Sequence, residues 1–136
     1  MIRNICRDTF LLSRKAPPAT AEDLPTAFDL RDTLMAHAAG CVGMAANMIG
    51  ENKRIIVIMA NRLPLVMLNP EILSCSGKYE TTEGCLSLDG VRKTVRYKKI
   101  TVSWQDMNMR RQKRSFEGFP AQIIQHEIDH LNGILI

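Results

Sequence analysis

The chain has 136 residues, of which 46% are apolar and 24% charged, and 18 Lys and Arg stand against 14 Asp and Glu for a formal charge of +4. This length fits one domain over 1–136, the apolar share supports a buried core, and the mild positive charge reads as a solvated surface rather than a footprint for DNA. No apolar run approaches the roughly 18 residues of a membrane span, no targeting signal opens the chain, and Cys6, Cys41, Cys75 and Cys85 lack paired spacing, so a cytoplasmic protein with thiols rather than a disulfide frame is expected.

Residues 1–20 read as irregular, because Ala16-Pro17-Pro18 interrupts any helix. A helix is predicted over about 21–39, with Thr20 as cap, Glu22 and Asp23 in its first turn, and Gly40 at its exit. Ala27, Leu30, Leu34 and Ala38 form its apolar stripe. Ile55-Ile56-Val57-Ile58 is β-branched throughout and predicts a buried strand over 54–59. A second strand over 65–69 is expected to stop at Pro70. Strands follow near 72–82, 91–96 and 99–105, then a turn at Asp106–Met109 and a return strand near 112–117. Gly118-Phe119-Pro120 opens a last helix. The order of elements predicts an α+β domain.

That last helix carries His126-Glu127-Ile128-Asp129-His130. At about 100° per residue, His126, Glu127 and His130 share one sector, while Ile124, Ile128 and Leu131 fall opposite. Two histidines four apart on a helix can share one metal ion, and a helix with a metal face and an apolar face must be buried on both. Glu127 then stands beside the ion as an acid–base group. A third ligand has to come from upstream, because residues 131–136 offer no thiol, imidazole or carboxylate side chain. The candidates are the thiols, His37 and the acidic residues. Cys85 stands out in Glu83-Gly84-Cys85-Leu86-Ser87, next to a glycine that permits close backbone approach. Cys6, Cys41 and Cys75 read as buried thiols. One thiolate and two imidazoles leave a coordination position open, the arrangement of a catalytic site.

Three segments in this order resemble the peptide deformylases. The first, Cys41-Val42-Gly43-Met44-Ala45-Ala46-Asn47-Met48-Ile49-Gly50, is similar to that family's Gly-x-Gly-x-Ala-Ala-x-Gln-x-Gly. The second, Glu83 to Ser87, matches Glu-Gly-Cys-Leu-Ser completely, and Gln125 to Gly133 matches Gln-His-Glu-x-Asp-His-Leu-x-Gly. The resemblance implies antiparallel β-sheets packed around a central metal-binding helix. It implies Cys85, His126 and His130 as ligands of one divalent ion, Fe(II) in the family, with zinc, nickel or cobalt as substitutes. The implied reaction is hydrolysis of the N-formyl group from the formylmethionine of new polypeptides, with Glu127 as general base and then acid. By the same resemblance the Leu86 N–H supports the oxyanion. Backbone around Val42, Gly43 and Gly84 pairs with an extended peptide, and Ile123 lines the methionine pocket or is plain core. Arg96 either pairs with Glu83 or lies on the surface. Transient association with the ribosome is implied as well, although the basic cluster Arg110, Arg111, Lys113 and Arg114 reads as a solvated face.

The first segment departs from the family pattern at three positions. Cys41 stands for glycine, Asn47 for the common proline, and Met48 for the glutamine that donates to the reacting carbonyl oxygen. A thioether cannot donate. Two functions follow: a deformylase with reduced turnover, or a catalytically impaired relative that keeps the metal and binds peptides. A metal-dependent protease suits the thiolate ligand and the second segment less well.

Overall fold

The computed structural model describes residues 1–85 and 88–135. Short helix α1 (Thr9–Leu12) leads to a 3-10 turn (Ala21–Asp23) and α2 (Leu24–Ala36). Strand β1 (Gly43–Ala45), a second 3-10 turn (Ala46–Ile49), β2 (Ile55–Ala60), β3 (Leu63–Cys85), β4 (Leu88–Gln105) and β5 (Arg111–Glu117) follow, and α3 (Gly118–Leu131) closes the described chain. The strands form one antiparallel sheet in the order β1-β2-β3-β4-β5, so every neighbour in space is a neighbour in sequence. Among the described residues no helix is long and apolar enough to cross a membrane.

Local chemistry explains most of the boundaries. Thr20 and Asp23 form a reciprocal capping box: Asp23 Oδ2 accepts from the Thr20 N–H at 2.8 Å, and Thr20 Oγ1 accepts from the Glu22 N–H at 3.3 Å. The helix expected over 21–39 therefore begins as a 3-10 turn, and it stops at Ala36, which leaves Ala38 exposed and outside its stripe. Thr33 joins the buried face instead, because its hydroxyl donates back to the Asp29 carbonyl at 2.8 Å and accepts from the Arg3 N–H. Asn61 and Arg62, both with positive φ, make the two-residue turn between β2 and β3. Asp106 Oδ1 accepts from the Asn108 and Arg110 N–H groups and shapes the β4–β5 turn. Residues 1–20, expected to be irregular, contain α1, capped by Asp8.

Pro70 does not stop a strand. The pairing steps from Leu68↔Gln105 to Glu71↔Ser103, so Asn69 and Pro70 together oppose one residue. This is a bulge, where a residue without an N–H costs the ladder nothing. Asn69 takes the left-handed conformation at φ 52°. Its side chain accepts from the Ala19 N–H at 2.7 Å and donates to the Ala19 carbonyl and Gln105 Oε1. β3 thus runs unbroken through two expected strands, and β4 merges two more.

Two helices enclose the sheet's buried end. β2 contacts both α2 and α3, which explains why Ile55 to Ile58 are buried on alternate faces alike. α3 is buried on its apolar side through Ile124, Ile128 and Leu131, and on its polar side through His126, Glu127 and His130. Among the thiols, Cys75 is exposed and Cys6 and Cys41 are half-buried, against the expectation of buried cysteines; Cys75 lies on the solvent-facing stretch of β3.

The Asn69 bulge supplies the first prediction. Asn69→Ala removes three side-chain hydrogen bonds and leaves a residue with a Cβ in the left-handed region without local support. A loss of about 2–4 kcal/mol in unfolding free energy is expected from urea titration. A change of under about half a kcal/mol, within the range of ordinary surface substitutions, would show that the bulge is held by other contacts.

Candidate metal and hydrolytic centre

A cavity of about 600 Å³ opens between β1, the end of β3 and α3. Its wall includes Cys41, Val42, Gly43, Met48, Glu83, Gly84, Cys85, Ile123, His126 and Glu127. One sulfur from Cys85 and ring nitrogens from His126 and His130 lie within 4.8 Å of one another. Helical spacing accounts for the histidines. The antiparallel β3–β4 pairing, which ends with Gly84↔Val91 and Cys85↔Leu88, brings the cysteine to them.

Each imidazole is oriented toward the cluster. His126 Nε2 and His130 Nε2 face each other at 2.9 Å. His126 Nδ1 meets Glu83 Oε1 at 2.7 Å, so its other nitrogen points to the cluster. Glu83 also accepts from Arg96 Nε and Nη2, the latter at 2.7 Å, and from Gln122 Nε2 at 2.8 Å. Arg96 Nη1 extends the network to Asp129 Oδ2 at 2.7 Å. Burial alone would raise the Glu83 pKa, but the bonds from His126, Arg96 and Gln122 outweigh it and hold the group at about 2. Burial likewise opposes charge on His126, yet its contacts with Cys85 and Glu83 raise it to about 10. His130 has no such partner, and burial lowers it to about 3.

Glu127 is only 4% exposed, and among the described residues its Oε1 has no hydrogen-bond partner. Burial pushes its pKa up to about 7. The donor set fits a divalent ion: a soft sulfur and two imidazole nitrogens converge, one ring is oriented by a carboxylate, and an unpaired carboxyl stands beside them. Three protein ligands leave a position for water or substrate.

The remaining expected residues are distributed as follows. Val42 is 40% exposed at the cavity rim, while Ile123 both lines the cavity and packs in the core. Gly84 is not the tight glycine, since a Cβ there would meet its neighbours at 3.5 Å or more. Gly43 is: a Cβ would come to 2.6 Å from Ile123 Cγ2 and 3.0 Å from Glu127 Oε2. Met48 lines the cavity and its sulfur accepts from the Ala45 N–H at 3.4 Å. Leu86 lies outside the described residues. The basic cluster on β5 is exposed, with Arg114 stacked over Phe116.

Other contributors carried no signal in the sequence reading. Arg7 and Asp89 meet at the cavity wall in an ion pair of 2.5 Å although 82 residues separate them. Asp129 belongs to the last motif and Gln122 to the same helix, and their roles follow only from the β3–β4 register.

A family model described as polypeptide deformylase matches residues 5–136. The chain is 50% identical over 136 residues to a peptide deformylase of Clostridium beijerinckii, covering 100% of both chains. The chain belongs to the peptide deformylase family. It is therefore a metal-dependent hydrolase. A deformylase of Thermotoga neapolitana is 36% identical over 93% of this chain and 79% of its own length. Among solved structures, a Met-Ala-Ser-bound class I type b deformylase from Acinetobacter baumannii superposes with a TM-score of 0.89 at 30% identity, covering 99% of this chain and 97% of that one. A deformylase from Legionella pneumophila gives 0.88 at 38% identity, over 99% and 83%.

Glu83 holds the deformylase centre's charges together, which can be tested without any metal. Glu83→Ala strands Arg96 and removes the carboxylate from His126. Breaking a buried pair from one side costs on the order of 3–5 kcal/mol, so chemical denaturation of the metal-free protein should show a loss of that size. A stability close to wild type would mean that Asp129 alone can satisfy Arg96.

Proposed function

We propose that this chain hydrolyses the formamide of N-formylmethionyl peptides, with Cys85, His126 and His130 holding one divalent ion and Glu127 moving the proton. The observation that carries this is Glu127: it is buried, unpaired at Oε1, and walls the same cavity as Cys85 and His126. When bound, the ion supplies Lewis-acid chemistry, favouring a reactive hydroxide at neutral pH and polarising the carbonyl.

The chain's own groups supply the rest. Glu127 takes a proton from the attacking water and returns it to the departing amine nitrogen, which leaves formate and a free N-terminus. Its raised pKa, near 7, places it close to the pH at which it must both accept and donate. Burial of the centre keeps bulk water from competing for the Glu127 carboxylate. Val42, Gly43 and Gly84 offer backbone for an extended peptide, and Ile123 an apolar wall for the methionine side chain. The Met-Ala-Ser ligand of the similar Acinetobacter protein supports an N-terminal methionyl peptide as the ligand class. Leu86 N–H is assigned to the oxyanion by resemblance alone. The same reading carries Fe(II) as the ion in the cell, action in the cytoplasm, and transient contact with the ribosome, where formylated chains emerge.

Formate release by Fe(II)-loaded protein from formyl-Met peptides, prepared anaerobically, tests the activity. Glu127→Gln should keep the metal and lose hydrolysis, because an amide cannot accept and relay the proton; Cys85→Ala should lose both. Full turnover in Glu127→Gln would remove Glu127 from the chemistry.

Turnover is proposed to be slow, for a reason visible in the 3-10 turn. The Met48 sulfur is engaged as an acceptor of the Ala45 N–H and has no proton to give. The neighbouring Asn47 amide does not replace it, since Asn47 does not line the cavity and its Nδ2 turns to the His130 carbonyl at 2.8 Å. Removing one donor from such a site typically costs about 10²–10³ in turnover. Met48→Gln, of similar length, should raise kcat by on the order of 10-fold or more with unchanged metal content, short of the full factor where the amide is imperfectly oriented. Equal kcat for both proteins, loaded with the same metal, would discard the slow-enzyme reading. No formate release at all, with metal bound, would favour the impaired peptide-binding relative.

A further inference from the structure

The 3-10 turn Ala46–Ile49 holds a polar side chain that the chemistry above does not use. Asn47 is fully buried. Its Nδ2 reaches across the fold to the His130 carbonyl, 83 residues away in sequence. Among the described residues its buried Oδ1 has no hydrogen-bond partner, and neither has the buried Nδ1 of His130. Two unsatisfied polar atoms therefore sit on two residues that are already bonded to each other. An unpaired buried polar group costs about 1–3 kcal/mol, so this juxtaposition calls for a connection.

The identity of the two atoms fits a bond between them. His130 Nε2 faces His126 Nε2 within the ligand cluster. A neutral ring that lends Nε2 to such a cluster carries its proton on Nδ1. Nδ1 is then a donor, and Asn47 Oδ1 is an acceptor. His126 has the equivalent arrangement through Glu83, whose carboxylate faces its Nδ1. His130 has no carboxylate on Nδ1; Asn47 is the polar side chain bonded to this residue.

We propose that Asn47 is the positioning residue of His130: its amide N–H holds the α3 backbone, and its Oδ1 receives the Nδ1–H, directly or through one bridging water, which keeps Nε2 aimed at Cys85 and His126. This rests on the ligand assignment made above. Outer partners of this kind fix the tautomer and rotation of a ligating ring.

Two variants separate positioning from mere packing. Asn47→Asp and Asn47→Leu both lose the amide N–H that holds the carbonyl, and only Asn47→Asp keeps an acceptor at the Oδ1 position. Zn(II) affinity is read by competition with a chromophoric chelator. Asn47→Leu is expected to bind Zn(II) about 10–100-fold more weakly, and Asn47→Asp to stay near wild type. Equal weakening in both, or none in Asn47→Leu, overturns the proposal. A second measurement needs no variant and covers the case in which Asn47→Leu fails to fold. In Zn(II)-loaded wild type, ring ¹⁵N–¹H spectra should place the His130 proton on Nδ1 and show it protected from exchange with solvent. A proton on Nε2, or a freely exchanging one, overturns it. Zn(II) binding that survives Cys85→Ala overturns the ligand assignment and the role of Asn47 together, an outcome distinct from failure at Asn47 alone.

Discussion

The Glu83 carboxylate is the joint on which the centre hangs. α3 places His126, Glu127, Asp129 and His130 inside or at the edge of the core, where an isolated charge costs several kcal/mol. Glu83 on β3 answers with bonds from Arg96 on β4 and from Gln122 and His126 on α3, and Arg96 passes the connection on to Asp129. Without a metal the network balances: two carboxylates face one guanidinium and an imidazole whose pKa is raised to about 10. An imidazole that holds such a proton has to give it up before it can bind a cation.

Glu127 is excluded from that arrangement, and the exclusion gives it its character. Both carboxylates are buried, yet Glu83 is held at about 2 by its partners, while burial that no hydrogen bond offsets pushes Glu127 to about 7. Titratable pairs whose environments drive their pKa values apart divide the labour between a fixed charge and a proton carrier. Glu83 orients and neutralises; Glu127 is free to change state. Gly43 serves the same end from the other side, since any Cβ on β1 would press on Ile123 and on Glu127 itself.

What could be read in the sequence was what local periodicity encodes. The spacing in α3 set the imidazoles and Glu127 on one side and Ile124, Ile128 and Leu131 on the other, and the structure buries both. The β-branched run of β2 and the Asp106 turn were equally plain. Pro70 misled because a bulge tolerates a missing N–H as well as a strand end does. Ala38 misled because apolar spacing continues past the point where the helix stops. The partners of Glu83 in α3, the Arg7–Asp89 pair and the Asn47–His130 bond are contacts across 39 to 83 residues in this fold, and no local pattern encodes a partner that distant.

Asn47 and Met48 show two opposite demands met by adjacent residues of one turn. At position 48 a thioether fills a buried place without leaving an amide to satisfy, and the Ala45 N–H is its only described hydrogen-bond contact through the side chain. A glutamine there would have to aim its amide at the substrate and wait unpaired until the substrate arrives. Such waiting donors stabilise a transition state because they are already aimed at the developing charge, and they cost stability in the resting protein. Asn47 directs an amide N–H to the backbone of the helix that carries His130. The turn therefore commits its polar side chain to the backbone of α3. Neither side chain of this pair is placed to donate into the cavity: Met48 lines it without a proton to give, and Asn47 is turned to the helix behind it.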